Sequence, residues 1–200
     1  PFTSNAVSWK ATYFQRRITN LIDYDYANPA FPNGTYGNVR NKVKGKGVDL
    51  LLDATLADGL KITANYTWSQ LRNPGSSLQR DRAPKQYAKG WISYEPETLP
   101  FGTNLSVDWV GDAYTTLPGF GRLNYGNYAL VNLGFHLYPD SERKHRFGIN
   151  VENLFNKDYA SIGYGRSVTD AGRLDGTNTR FLYYTRGTPR MLRVSYGINF

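Results

Sequence analysis

The sequence predicts an all-β protein, a transmembrane antiparallel up-and-down β-barrel, and three observations support this prediction. Apolar and polar residues alternate with a period of two in successive segments, as in strands whose two faces meet different surroundings. The connections between the segments alternate between long and short. Aromatic residues make up 15% of the 200 residues, and several lie toward strand ends, where membrane barrels carry aromatic girdles. Together these features indicate lipid on one face of the sheet and a lumen on the other.

Eight strands are predicted from the parity of their apolar residues. In the third strand, LKITANYTW places Leu60, Ile62 and Tyr66 on one face and Lys61 and Asn65 on the other. The predicted strands cover residues 5–26, 38–57, 60–70, 85–95, 101–112, 126–138, 145–155 and 189–200. Apolar faces of the same kind are formed by Val7, Trp9, Ala11 and Tyr13; Val48, Leu50, Leu52, Ala54 and Leu56; Phe101, Leu105, Val107 and Trp109; Ala129, Val131, Leu133, Phe135 and Leu137; Phe147, Ile149 and Val151; and Leu192, Val194, Tyr196, Ile198 and Phe200.

The fourth strand, QYAKGWISYE, does not show which of its faces meets lipid. Tyr87 and Trp91 lie on one parity, and Ile92 and Tyr94 lie on the other. Both faces are therefore aromatic, and the sequence leaves the assignment open.

The connections differ in a regular way. The short ones are ADG, PETLP and PDSERK, whereas the long ones begin near residues 27, 71, 113 and 156. Outer-membrane barrels place short turns in the periplasm and long loops outside, so an even strand count puts the C-terminus on the periplasmic side. A soluble β-sandwich is the alternative, but it does not predict this asymmetry.

Composition narrows the function classes. The chain has no Cys, which excludes disulfides, thiol nucleophiles and Cys-based metal sites. No apolar run approaches the roughly 20 residues of a membrane-spanning helix. Only His136 and His145 are present, both near the predicted periplasmic end, and no His, Asp or Glu cluster has metal-ligand spacing. We therefore predict no enzyme activity, no metal and no cofactor. The net charge is +8, but its cations are spread over turns and loops, which does not favour nucleic-acid binding.

Four segments resemble one family. VENLFNKDYASIGYG, residues 151–165, resembles the NLF-x-K-x-Y signature of TonB-dependent outer-membrane receptors, which import ferric siderophores, haem, cobalamin and similar scarce ligands. Residues 45–69 are similar to the family's hairpin with a short acidic-Gly turn, and residues 15–25 to the strand before it. The chain end matches the signal that the barrel-assembly machinery reads on such proteins, carried here by Leu192, Val194, Tyr196, Ile198 and Phe200.

The resemblance implies an architecture larger than this chain. Family members have an N-terminal plug domain, a segment that engages TonB and a barrel of about 22 strands. Residues 1–200 would then form the C-terminal part of the barrel, about eight strands, with the plug and the TonB-engaging segment absent. An independent eight-stranded barrel with a structural, adhesion or enzymatic role is the alternative.

The resemblance also implies a function and a location. The function is energy-coupled uptake of a scarce ligand, with a ferric siderophore expected, across the outer membrane of a Gram-negative bacterium. The implied partners are membrane lipid and lipopolysaccharide, the TonB complex, the barrel-assembly machinery and the ligand.

The third and fourth long loops supply the candidate ligand contacts. Aromatic faces offer apolar area, and Arg guanidinium groups pair with carboxylate or catecholate oxygens, a combination suited to an anionic chelate. Packing of the loops against one another is the alternative role. The candidates are Tyr114, Phe120, Arg122, Tyr125, Tyr159, Tyr164, Arg166, Arg173, Arg180, Tyr183 and Arg186.

A row of four cations suggests a second contact surface. Arg40, Lys42, Lys44 and Lys46 share the parity of the lipid-facing Val48, so the stripe continues outward as positive charge. Such a row is expected to meet lipopolysaccharide phosphates at the outer leaflet. A solvated strand extension is the alternative, and the glycines at 45 and 47 leave a break in the register open.

Overall fold

The regular elements in the described part of the chain are strands. The computed structural model describes residues 6–25, 30, 35–39, 43–117, 121–169 and 178–199. No helix in this part of the chain is long and apolar enough to cross a membrane. The strands are β1 (Ala6–Ile18), β2 (Leu21–Asp25), β3 (Thr35–Val39), β4 (Val43–Ala57), β5 (Leu60–Arg72), β6 (Gln86–Tyr94), β7 (Phe101–Val110), β8 (Tyr114–Leu117), β9 (Gly121–Asn124), β10 (Tyr128–Leu137), β11 (His145–Glu152), β12 (Ala160–Thr169), β13 (Asn178–Arg186) and β14 (Met191–Ile198).

Eight of these strands form one antiparallel sheet in the order β1-β4-β5-β6-β7-β10-β11-β14. Each corresponds to one of the eight strands predicted from the sequence, which confirms that prediction. The other six form three two-stranded ribbons, β2-β3, β8-β9 and β12-β13, which lie in the long connections. We call the end of the sheet with the ribbons the loop end, and the end with the short connections the turn end.

The register divides the sheet into an apolar outer face and a polar inner face. On the outer face Leu50 lies opposite Tyr66, whereas on the inner face Thr67 donates a hydrogen bond of 2.8 Å to Asp49. The outer face is open to its surroundings even in the middle of the sheet, since Leu50 is 45% and Phe135 is 43% exposed. Removing one such side chain from water stabilises by about 1.5 to 3 kcal/mol. No second sheet covers this face in the described residues, which contradicts the β-sandwich alternative.

The register also determines the faces of β6. Ala88 pairs with Tyr66 and Ile92 pairs with Ile62, so Ile92 and Tyr94 belong to the outer face. Tyr87 and Trp91 therefore face inward. Sequence alone could not make this assignment because inward-facing aromatic residues give the same alternation as a lipid-facing stripe.

The first long strand differs from its predicted extent. The sequence predicts one strand over 5–26, but Asn20 adopts a left-handed conformation with φ of 55° and separates β1 from β2. Asn tolerates this conformation better than most residues because its short polar side chain bonds locally. The chain then continues into the β2-β3 ribbon, whose internal ladder satisfies backbone groups that a bare loop would leave to water. The ribbons in the third and fourth long connections are likewise absent from the sequence prediction.

A cluster around Glu95 ties the short connections together at the turn end. Tyr138 donates a hydrogen bond of 2.6 Å to Glu95, and His136 Nε2 lies 3.0 Å from the same carboxylate. Arg143 donates to the backbone oxygens of Pro96 and Leu99 at 2.6 and 2.9 Å. His136, which is 5% exposed, lies on the inner face near the turn end, as the sequence predicts. The side chains of His136, Tyr138 and Arg143 thus converge on one carboxylate.

The charges of this cluster shift the protonation of Glu95. Burial alone would raise the pKa of the Glu95 carboxyl, but hydrogen bonds from Tyr138 and His136 and the charges of His136 and Arg143 lower that pKa below its usual value. Burial and the bond to Glu95 raise the pKa of the Tyr138 hydroxyl. Glu95 is therefore held in its ionised form, in which it accepts these bonds.

Candidate ligand site at the loop end

The inner face near the loop end carries charged and aromatic side chains. Lys89 Nζ on β6 lies 3.0 Å from Asp108 Oδ1 on β7 and 5.6 Å from the centre of the Tyr87 ring. Tyr128 begins β10 and pairs with Val110, so it points to the same face. The barrel wall thus presents two tyrosines and an ion pair just below the loops.

Tyr159 extends this surface upward from the fourth long connection. Its ring centre lies 4.6 Å from that of Tyr128, within the range of favourable aromatic contacts. Gly187 donates a backbone hydrogen bond of 2.9 Å to the Tyr159 carbonyl. A Cβ atom added at Gly187 would lie only 1.9 to 2.2 Å from three atoms of the Tyr159 ring. The absence of a side chain at Gly187 therefore lets the Tyr159 ring lie in this position.

A cavity of about 340 Å³ opens between these elements. Lys157 and Arg186 provide positive charge and Asp158 provides the opposite charge. Arg186 Nη2 lies 3.9 Å from Asp158 Oδ2, and both side chains are about four-fifths exposed, so this pair contributes little and leaves the guanidinium available. The aromatic side chains of the lining are Tyr125, Tyr128, Tyr159 and Tyr184. The cavity offers the two chemical features expected of a site for an anionic chelate, aromatic area and exposed cations.

The NLFNKDY segment acts as the scaffold of this cavity. Asn153 is 4% exposed, and its amide nitrogen donates to the carbonyls of Lys157 and Thr188 at 2.9 and 3.0 Å. Its amide oxygen accepts from the Lys157 backbone at 2.8 Å, and its own backbone donates to the Asn132 side chain at 2.9 Å. The Asn in this motif thus joins the end of β11 to the chain segments before β12 and β14.

The β8-β9 ribbon is fastened to the second long connection. Arg122 lies 4.2 Å above the Tyr114 ring, donates to the carbonyl of Gln79 and lies 3.5 Å from Asp81. Asp81 also accepts a bond of 2.6 Å from the Thr116 backbone. The Arg122 guanidinium is therefore engaged in holding two loops together.

The structure brings some of the predicted ligand contacts together at the cavity. The other predicted contacts lie on the ribbons or outside the described residues. Tyr125, Tyr159 and Arg186 line the cavity. Tyr114 and Arg122 lie on the β8-β9 ribbon and Tyr183 on β13, with half of the Tyr183 surface exposed. The backbone of Tyr164 and Arg166 lies in β12, and that of Arg180 in β13. Phe120 and Arg173 lie outside the described residues.

Three residues that line the cavity were not predicted from the sequence: Tyr128, Tyr184 and Lys157. Tyr128 is the first residue of a strand, and the apolar alternation of that strand predicted that it forms part of the barrel wall. Lys157 lies inside the family-like signature, which could have drawn attention to it. Their convergence depends on pairing between distant strands, which has no local signal.

Of the predicted assembly and cation residues, those in the described part of the chain lie on the outer face. Leu192, Val194, Tyr196 and Ile198 are exposed along β14, and Phe200 lies outside the described residues. Lys44 and Lys46 lie on β4, whose pairing runs without a shift from Val43 to Thr55, so the glycines at 45 and 47 do not break the register. Arg40 and Lys42 lie outside the described residues.

The sheet is apolar on its outer face and polar on its inner face, with short turns at one end and long ribbons at the other. These features define the wall of a membrane β-barrel. The family described as "TonB dependent receptor-like, beta-barrel" matches residues 2–154, and the chain belongs to this family. TonB-dependent receptors are outer-membrane β-barrels of Gram-negative bacteria with a transport role.

Relatives and solved structures agree with this assignment. The chain is 26% identical over 159 residues to the ferrioxamine B receptor of Salmonella typhimurium, covering 74% of this chain and 22% of that protein. The pyoverdine outer membrane receptor FpvA of Pseudomonas aeruginosa, solved with pyoverdine, superimposes with a TM-score of 0.72 at 20% identity, over 97% of this chain and 27% of that one. The ferric yersiniabactin uptake receptor FyuA of Yersinia pestis superimposes with a TM-score of 0.72 at 19% identity, over 97% and 28%.

These matches confirm the predicted fold as part of a larger barrel. The chain spans about a fifth of the length of the ferrioxamine B receptor. In the described residues β1 and β14 form the two edges of the sheet and do not pair with each other. Closure into an independent eight-stranded barrel would need that pairing.

Proposed function

We propose that the chain forms the C-terminal part of the barrel of an outer-membrane receptor that takes up a ferric siderophore with energy from TonB. The observation that carries the proposal is the cavity of about 340 Å³ at the loop end, where four tyrosines meet Lys157 and Arg186. The relatives named for ferrioxamine, pyoverdine and yersiniabactin support an iron chelate as the ligand. The loop end then faces the exterior, and the C-terminus lies in the periplasm.

The geometry supports different roles for the residues of this site. Tyr125, Tyr128 and Tyr159 supply flat apolar area, and Arg186 and Lys157 attract the oxygen-rich rim of the chelate. Tyr114 and Arg122 hold the neighbouring ribbon beside this cavity. We propose the remaining loop candidates as further ligand contacts: Phe120, Tyr164, Arg166, Arg173, Arg180 and Tyr183. The plug and the segment that meets TonB belong to parts of the receptor outside these 200 residues, as do the contacts with the TonB complex.

Binding of ferric chelates tests the proposal. The complete receptor is titrated with ferrioxamine B and with a ferric catecholate, and its intrinsic fluorescence is followed. Because two exposed cations contact the ligand, the double variant Lys157→Gln and Arg186→Gln is expected to weaken binding about tenfold or more.

A matched control uses Lys61→Gln, an exposed lysine on the inner face at the turn end. This variant is expected to bind like the unchanged receptor. Equal affinity of the double variant and the control for every chelate that binds would exclude the cavity as the ligand site. Failure of all ferric chelates to bind the receptor would exclude the proposed ligand class.

A further inference from the structure

Four cations meet on the outer face at the loop end of the sheet. Lys44 on β4 lies directly opposite Arg17 on β1 and Arg72 on β5, and Lys46 follows two residues further along β4. Lys44, Lys46 and Arg17 are exposed. No ion pair joins any of the four within the described residues, and the Arg72 Nε is buried without a hydrogen-bond partner there.

This arrangement is unfavourable without a counter-charge. Side chains directly opposite each other across an antiparallel pair have Cβ atoms about 4.5 to 5.5 Å apart, and like charges in such positions repel. Lys44 has a cation on both sides. An anion bound between Arg17, Lys44 and Arg72 would convert this repulsion into attraction.

The cations lie next to the aromatic boundary of the apolar face. Tyr13 and Trp68 both pair with Val48, two residues from Lys46 toward the turn end. Aromatic side chains of membrane barrels sit at the level of the lipid headgroups. The cations are therefore at the height of lipid phosphates rather than in bulk water.

An apolar groove lies on the same face, closer to the middle of the sheet. Ala64, Ala88 and Gly90 form its floor, because their small side chains leave a depression between Tyr66 and Trp109. Its volume is about 390 Å³, and an added Cβ at Gly90 would meet nothing within 4 Å. The groove is open to whatever surrounds the wall.

The distance between the groove and the cations matches the distance between an acyl chain and the phosphate of one lipid. Tyr66 and Ala64 lie four and six residues from Gln70, the partner of Lys46. At about 3.4 Å per residue the groove is about 13 to 20 Å from the cations. A lipid whose phosphate meets the cations can direct an acyl chain along the strands to this depression.

We propose that this surface binds lipopolysaccharide, with its lipid A phosphates on Arg17, Lys44, Lys46 and Arg72 and one acyl chain in the groove. The choice of lipopolysaccharide over an anionic phospholipid rests on the proposed orientation, in which the loop end lies in the outer leaflet. Several adjacent cations also match a headgroup with more than one phosphate. Bound in this way, the lipid neutralises the cluster and fills the groove.

The test measures binding of purified lipopolysaccharide, dephosphorylated lipopolysaccharide and phosphatidylglycerol to the delipidated complete receptor in detergent. The double variant Lys44→Gln and Lys46→Gln is expected to bind lipopolysaccharide about tenfold more weakly or worse. Gly90→Leu, which fills the groove, is expected to weaken binding about fivefold. The controls Lys144→Gln, at the turn end, and Ala129→Leu, on the outer face beside Trp109, should leave it unchanged.

The outcomes separate this proposal from the uptake function. Weaker binding of dephosphorylated lipopolysaccharide together with normal chelate binding by all four variants is the expected result. Unchanged lipopolysaccharide binding by the charge variant, or equal binding of the dephosphorylated form, would overturn the proposal. Equal binding of phosphatidylglycerol with the same dependence on Lys44 and Lys46 would also overturn it, in favour of a general anionic-lipid site.

Discussion

Glu95 at the turn end and Arg186 at the loop end differ in how well their charges are matched within the protein. At the turn end, Glu95 is bonded to Tyr138 and lies within 3.0 Å of His136, so its charge is matched inside the protein. At the loop end, Arg186 lies 3.9 Å from the largely exposed carboxylate of Asp158. Matched charges stabilise a fold, whereas poorly matched charges are available to a ligand. The comparison indicates that the turn end holds the barrel together, and we propose that the loop end binds the ligand.

The largest expected effect concerns Asn153, a buried residue that stabilises the loop end by uncharged hydrogen bonds. Asn153→Ala removes three side-chain hydrogen bonds from a buried site and is expected to lower the free energy of unfolding by about 3 kcal/mol. Urea unfolding of the complete receptor in detergent measures this. Asn127→Ala, at an exposed position with similar φ, is the control. Equal stability of the two variants would show that Asn153 is not a structural centre.

Gly187→Ala tests the loop end, because it displaces an aromatic ring that lines the cavity. The new methyl group collides with the Tyr159 ring, which must move away from Tyr128. Overpacking of this kind costs about 1 to 3 kcal/mol, and the displaced ring is expected to weaken chelate binding as well. Thermal unfolding and fluorescence titration measure the two effects. Gly197→Ala, where an added Cβ meets nothing within 4 Å, should change neither, and normal chelate binding by Gly187→Ala would argue against a role for the Tyr159 position.

Glu95→Gln tests the turn end and has a smaller expected effect. The amide keeps the shape but loses the charge that His136 and Arg143 face, which is expected to destabilise the receptor by about 1 kcal/mol at neutral pH. Chelate binding should be unchanged, as judged by the same titration. A loss of binding without a loss of stability would contradict the separation of the two ends.

The pH dependence of stability follows from the same residue. Because the pKa of Glu95 is lowered in the folded state, its stabilising contribution is present above the unfolded-state value and is lost as the pH falls through the folded-state pKa. The unfolding midpoint is therefore expected to fall on acidification below about pH 4.5. In Glu95→Gln this acid-induced decrease should be smaller. Identical pH profiles of the unfolding midpoint in the variant and the unchanged receptor would show that Glu95 does not cause the decrease.

The main strands were predictable because alternation is a local signal. The shared face of Leu60, Ile62 and Tyr66 is evident from their spacing in the sequence alone, and the register of β5 confirms that face. The ribbons were not predictable, since the break at Asn20 depends on one left-handed backbone conformation that Asn tolerates but does not require.

The candidate sites depended on pairing across the sheet. Tyr159 and Arg186 were chosen from the sequence by their chemistry and line the cavity, but Tyr128 reaches it only through the pairing of β10 with β7. Likewise, Lys44 and Lys46 follow from parity, whereas Arg17 and Arg72 join them through the register of three strands. Residues distant in sequence carry no local sign of such convergence.

Uptake of iron by cells tests the central claim most directly. The complete receptor is expressed in a strain that lacks its own siderophore receptors, and entry of radioactive iron from a ferric siderophore is followed with and without TonB. We predict uptake that requires TonB and that falls strongly in the variant with Lys157→Gln and Arg186→Gln, while Lys61→Gln behaves like the unchanged receptor. Uptake at the same rate without TonB, or no uptake from any ferric siderophore, would contradict the account.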